Sequence, residues 1–202
     1  MNEIIPKPIN DFWNPVIDGE TFMDFQNYCE EKENLSADDI EIIKENAKMI
    51  LQRCIQPNSV NTSKRTNLHI GDVQSGKTLT MAAAIALAHD NNFLLTSLLT
   101  GTKTILKAQN ESRIESILQW IDKDRDKFYF YKGDDSQLKT QVKQLDRNVR
   151  SGSYKTMIVS IILKETKHIK DLTNKFQELN LTEKNFGSII LDDEADQASL
   201  NT

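Results

Sequence analysis

The spacing of apolar residues changes along the chain, and each change marks a different element. Residues 1 to about 35 carry three prolines (Pro6, Pro8, Pro15) and a turn signal at Asp18-Gly19, which predicts irregular chain. Ser36-Ala37-Asp38-Asp39 has the form of a capping box. Behind it Ile40, Ile43, Ala47, Ile50, Leu51 and Cys54 recur at helical spacing, and Pro57 marks the stop. A polar stretch from Asn58 to Asn67 predicts a loop.

From Leu68 the pattern alternates between short apolar runs and longer amphipathic ones. Strands are predicted near 68–70 and over 93–99, 128–131, 157–163 and 188–191. Helices are predicted over 79–88, 105–121, 136–149 and 164–179. In the second of these, Ile114, Ile117, Leu118 and Ile121 share one face. Strands that are apolar throughout, separated by helices, predict an α/β fold: a mainly parallel sheet covered by helices on both faces. The chain divides into an N-terminal arm and helix (1–60) and an α/β lobe (61–202), with no internal repeat.

Bulk composition narrows the class without naming a function. The 202 residues are 38% hydrophobic and 27% charged, as in an ordinary globular protein. No apolar run approaches the roughly 20 residues of a membrane span, and the N-terminus lacks the basic and apolar regions of a secretory signal. Cys29 and Cys54 have no metal or disulfide spacing and read as reduced thiols of a cytoplasmic protein. A net charge of -5 argues against nonspecific coating of nucleic acid, though not against a local basic groove.

The candidate chemistry lies in two motifs. Gly71-Asp72-Val73-Gln74-Ser75-Gly76-Lys77-Thr78 spells G-x-x-x-x-G-K-T, a phosphate-binding loop. Gripping a triphosphate needs inward backbone N–H groups, hence glycines at the bends and a helix N-terminus behind them. On this reading Gly71, Gln74, Ser75, Gly76, Lys77 and Thr78 bind ATP. Lys77 reaches the β- and γ-phosphates, and the Thr78 hydroxyl meets Mg²⁺. Gln74 has a second reading as a solvent-facing loop residue.

The other motif is Ile189-Ile190-Leu191-Asp192-Asp193-Glu194-Ala195-Asp196, an apolar strand ending in acids. Ligands of open α/β sheets bind at such strand ends. Asp193 is assigned to Mg²⁺ and Glu194 to the attacking water as general base. Asp192 stays open, because either neighbour can take the metal role.

The order of these motifs resembles the first motor domain of helicase superfamily two. Thr100-Gly101-Thr102 with Leu106 and Gln109 resembles that superfamily's motif Ia, which touches the nucleic-acid backbone. A helix cap before an ordinary amphipathic helix explains the same residues. Gly71–Thr78, Leu99–Thr102 and Leu191–Ser199 together resemble the "Z-one" family, prokaryotic proteins with a helicase-like ATPase core, named as endonucleases and placed in restriction or phage defence. The resemblance covers roughly residues 65 to 202.

It implies a P-loop fold of RecA-like type with a helical extension, and an ATP hydrolase that is DNA-dependent and moves along nucleic acid, duplex DNA being the expected partner. It also implies a second motor lobe that residues 61–202 do not supply, so the chain is read as an N-terminal piece that alone turns ATP over slowly or not at all. No residues carry the nuclease activity of the family name. Two other classes compete: a nucleotide-dependent regulatory switch that moves no nucleic acid, and a small-molecule kinase built on the same loop.

Weaker signals complete the inventory. Asp18 with Glu30-Glu31-Lys32 loosely fits a nuclease pattern but needs strand context that this stretch lacks. His69, His89 and His168 show no zinc spacing and read as structural. Phe12 and Trp13 either stack on adenine or pin the arm to the core, the second being preferred. Lys103, Lys107 and Arg113 either meet DNA phosphates or form a solvated helix face.

Overall fold

The computed structural model describes residues 12–57, 59, 66, 76–100, 104–124, 126–132, 135–180 and 187–193, with backbone alone at 104–111 and 135. In chain order these form α1 (Glu20–Glu31), α2 (Ala37–Gln52), α3 (Lys77–Asp90), β1 (Phe93–Thr100), α4 (Thr104–Ile121), β2 (Phe128–Tyr131), α5 (Asp135–Arg150), β3 (Met157–Leu163), α6 (Thr166–Glu178) and β4 (Gly187–Asp192). The fold is α/β. The four strands among the described residues are all parallel, in the order β2-β3-β1-β4. The strand expected near 68–70 lies outside the described residues.

Topology follows from one handedness rule. The step from β1 out to β2 uses α4, which packs with α3 on one face of the sheet. The steps back, β2 to β3 and β3 to β4, use α5 and α6 on the opposite face. Opposite directions on opposite faces are what a single crossover hand requires.

The core is deepest around α3. Leu79 through Ala88 is buried at nearly every position because α3 lies between the sheet and an outer pair, α1 and α2. A helix apolar all round must be covered all round. Its alanines let the neighbouring helices approach closely. The predicted stripe of α4 (Ile114, Ile117, Leu118, Ile121) is fully buried in the same core. Across the sheet, Leu138, Val142 and Leu145 of α5 pack on Leu94, Leu95 and Ile158. α6 is looser: none of its side chains is fully buried, and Ile190 of β4, on that face, is 68% exposed.

The expectation of irregular chain up to residue 35 is corrected by α1. Phe22, Phe25 and Cys29 are fully buried, a helical face that the surrounding prolines obscured. α1 also begins without a side-chain cap of its own. Gly19 sits at the cap position, and the carboxylate of Asp90, at the far end of α3, accepts the N–H groups of Thr21 (3.0 Å) and Phe22 (2.8 Å). A Cβ at residue 19 would collide with that carboxylate. By contrast, α2 starts as its sequence predicts, with Ser36 Oγ accepting from Asp39 N–H and Asp39 answering to Ser36 N–H. It ends at Gln52, before Pro57. Among the described residues, no helix is long and apolar enough to cross a membrane.

Candidate functional site

The site is framed by where α3 begins and where the strands end. Asn91 and Asn92 make a two-residue reversal between α3 and β1, Asn92 taking the left-handed conformation (φ 64°) that asparagine tolerates. α3 spans about 21 Å and β1 about 26 Å. The two run antiparallel, so the start of α3 lies at the end of the sheet where β1, β3 and β4 finish.

At that start Gly76 adopts φ 73°, ψ 26°, a left-handed conformation that suits glycine. Lys77 is the first helical residue and is exposed, and Thr78 is half-buried. Thr80 N–H closes the first helical bond onto Gly76 C=O at 2.9 Å. Gly76 offers no side chain to cap the helix, whose first-turn N–H groups have no partner within the helix itself. Gly71, Gln74 and Ser75 lie outside the described residues.

The strand ends form a tied rim. Leu99 C=O accepts Asp193 N–H and Thr100 C=O accepts Lys164 N–H, both at 2.9 Å. The central strand therefore holds its neighbours on either side one residue beyond their last ladder position. Thr100 itself is buried, and its hydroxyl donates to Ile162 C=O at 3.2 Å. It serves the sheet; Gly101, Thr102 and the side chains of Leu106 and Gln109 are outside the described residues.

The two adjacent acids separate by strand alternation. Ile189 and Leu191 pack in the α3 core, so Asp192 points to the opposite face. There its carboxylate meets Lys164 Nζ at 2.8 Å. Lys164 lies two residues past Ile162, which shares a row with Leu99 and Asp192. Asp193, one residue past the end of β4, is half-buried. Glu194 lies outside the described residues.

Several weaker candidates resolve. Trp13 donates its indole N–H to Cys54 C=O (3.0 Å) and sits 6.4 Å from Phe93, at the start of β1. That is a full strand length from Gly76, so the adenine-stacking reading of Trp13 fails on distance and the pinning reading holds. Phe12, beside it, is half-exposed. Glu30 and Glu31 lie in α1 and Lys32 caps it, so the loose nuclease pattern has no strand.

His89 bridges three segments: its Nδ1 accepts from Thr21 Oγ, and its Nε2–H donates to Lys155 C=O, both at 2.8 Å. His168 pairs with Glu165 at the surface, and His69 is outside the described residues. Arg113 reaches Glu33 at 3.4 Å, while Lys103 and the side chain of Lys107 lie outside. Burial first, then the Glu33 and Glu30 carboxylates, push the Cys29 thiol up to about 12; burial pushes Cys54 to about 11. Both are inert structural thiols. Sequence reasoning missed Lys164, whose only local signal is a lone lysine directly after an apolar strand.

Comparison with known protein families, with curated proteins and with solved structures finds no match to this chain.

Proposed function

We propose that this chain is the ATP-binding lobe of a helicase-like P-loop ATPase with a RecA-like core, working with Mg²⁺ and, through a second lobe, on nucleic acid. One observation carries the reading. The residues spelling the end of the phosphate-loop motif, Gly76-Lys77-Thr78, start a helix behind a left-handed glycine, at the end of an all-parallel sheet where the acid run also emerges. A helix N-terminus attracts phosphate through its first-turn N–H groups and its dipole.

In this scheme the loop residues Gly71, Gln74, Ser75 and Gly76 cradle the phosphates with their backbone. Lys77 offsets the β- and γ-phosphate charge, Thr78 and Asp193 hold Mg²⁺, and Glu194 takes the proton of the attacking water. Pairing of Asp192 with Lys164 supports Asp193 as the metal acid. Duplex DNA is the proposed track, within a restriction or defence protein.

The test is nucleotide binding followed by turnover. Lys77→Ala should weaken Mg-ATP binding by at least about tenfold, and unchanged affinity would remove the loop from the site. Glu194→Gln should keep binding and stop hydrolysis in a protein that also holds the second lobe. Turnover there should rise with duplex DNA. Turnover indifferent to duplex DNA, single-stranded DNA and RNA would favour a nucleotide-dependent switch.

A further inference from the structure

In a chain that is acidic overall, a local excess of positive charge needs a reason. The net charge is -5, yet residues 136–160 hold five basic residues and a single acid, Asp146. Most of that excess sits on α5. Leu138, Val142 and Leu145 turn one side of the helix into the core, while Lys139, Lys143 and Arg147 are exposed to solvent. They follow one another at four-residue steps, about 6 Å apart along the helix axis. Arg150 continues the row and pairs with Asp146 at 3.0 Å.

Elsewhere the basic side chains are matched. On α2, on α4 and just after it, Lys44, Lys48, Arg113, Lys123 and Lys127 each meet a carboxylate. Among the described residues, Lys139, Lys143 and Arg147 have no carboxylate partner. Like charges four residues apart on a helix repel, and an outside polyanion relieves that repulsion. α5 also carries none of the exposed large apolar side chains. A protein partner needs such anchors at the centre of its interface, and a membrane surface needs them to enter the acyl boundary. Nor does α5 hold an aromatic residue to stack on the bases of a single strand. A partner met by charge alone fits the face best, and a duplex with its phosphates outward is one.

We propose that the outer face of α5 is a docking surface for duplex DNA, with Lys139, Lys143 and Arg147 each set against a backbone phosphate. The face lies across the sheet from α3, apart from the proposed nucleotide site. Such contacts hold a duplex without reading its sequence. The choice of DNA over RNA rests on the proposed function, but the face itself calls for neither ATP nor Mg²⁺.

The experiment follows binding of a fluorescein-labelled DNA duplex of arbitrary sequence to the 202-residue chain by anisotropy, without nucleotide, over a fourfold range of salt. Three phosphate contacts give a log–log salt slope of about -2.7, so affinity should fall about 40-fold over that range. Lys139→Gln/Lys143→Gln/Arg147→Gln should weaken binding by at least about tenfold at low salt, and each single change should flatten the slope by about 1. Lys44→Gln/Lys48→Gln/Lys123→Gln removes the same charge from the other side of the molecule and should leave affinity within about twofold, since charges beyond about 10 Å are screened. All three α5 side chains are exposed, so the variants should keep the wild-type urea midpoint, and the single changes decide the matter if the triple variant does not fold.

Equal weakening by the two triple variants, unchanged binding in the first, or wild-type protein that ignores the duplex overturns the inference. Tighter binding to duplex RNA or to phosphatidylserine vesicles overturns it too, by naming another partner. No nucleotide is present, so failure here leaves the phosphate-loop reading standing, and failure to bind ATP leaves this one standing.

Discussion

Asp90→Ala should cost far more than a change at the end of a helix ordinarily does. Asp90 closes α3, yet its two carboxylate oxygens accept the Thr21 and Phe22 N–H groups that open α1, at 3.0 and 2.8 Å. The side chain is only 8% exposed. Hydrogen bonds to a charged acceptor contribute about 1.5–3 kcal/mol each, and loss of an ordinary cap costs about 1 kcal/mol. Losing both bonds at a shielded site should therefore cost about 3 kcal/mol. Against a total stability of roughly 5–15 kcal/mol, that moves the urea midpoint visibly.

The assay is urea unfolding followed by circular dichroism, with Gly19→Ala as the second arm of a double-mutant cycle. A methyl group at residue 19 would meet Cγ, Oδ2 and Cβ of Asp90, so Gly19→Ala should be costly in the wild type and much cheaper in Asp90→Gly, which removes all three atoms. A loss under about 0.5 kcal/mol for Asp90→Ala would refute the capping argument. So would an equal cost of Gly19→Ala in the wild type and in Asp90→Gly.

Three further predictions concern groups outside the site. The carboxylate of Asp122, which is 5% exposed, accepts the N–H groups of Asp126, Lys127 and Phe128. Asp122→Ala should lower stability by about 2–4 kcal/mol and speed amide exchange in β2, and unchanged exchange there would sink the idea. Cys29 and Cys54, with thiols pushed up to about 12 and about 11, should resist thiol reagents at pH 8 until denaturant is added. Rapid native labelling of buried Cys29 or half-buried Cys54 would contradict this shielding. The folded chain keeps the Cys29 proton above pH 9 while the unfolded chain releases it, so stability should fall as pH rises from about 9 toward 12.

How much was legible in the sequence depended on how far each residue's partner lay along the chain. The capping box of α2 joins residues three apart, and it was readable. The strands Phe93–Thr100, Phe128–Tyr131 and Met157–Leu163 are continuous apolar or aromatic runs because the sheet is covered on both faces, and they were readable too. α1 was missed because its cap belongs to Asp90, and because Pro15 and Gly19 drew attention from the spacing of Phe22, Phe25 and Cys29.

The choice between Asp192 and Asp193 stayed open for a related reason. Which of two neighbours faces a given side depends on the phase of β4 against α3, and that phase exists only once the sheet is assembled. Lys164, the residue that pairs with Asp192, gives no sign of its role until β3 and β4 flank β1. Trp13 carried two readings until the structure placed it against Phe93, at the far end of β1 from Gly76.

The borrowed cap of α1 also bears on the order in which the molecule is made. Asp90 lies 69 residues beyond Thr21 in the chain. Ribosomes add roughly 5–20 residues per second, so α1 leaves the synthesis site some 3 to 14 s before its acceptor exists. Phe22 and Phe25 emerge ahead of α3 and have no settled place until it arrives. α1 is therefore translated well before it can be completed, and factors that shelter nascent apolar segments have a long opportunity there.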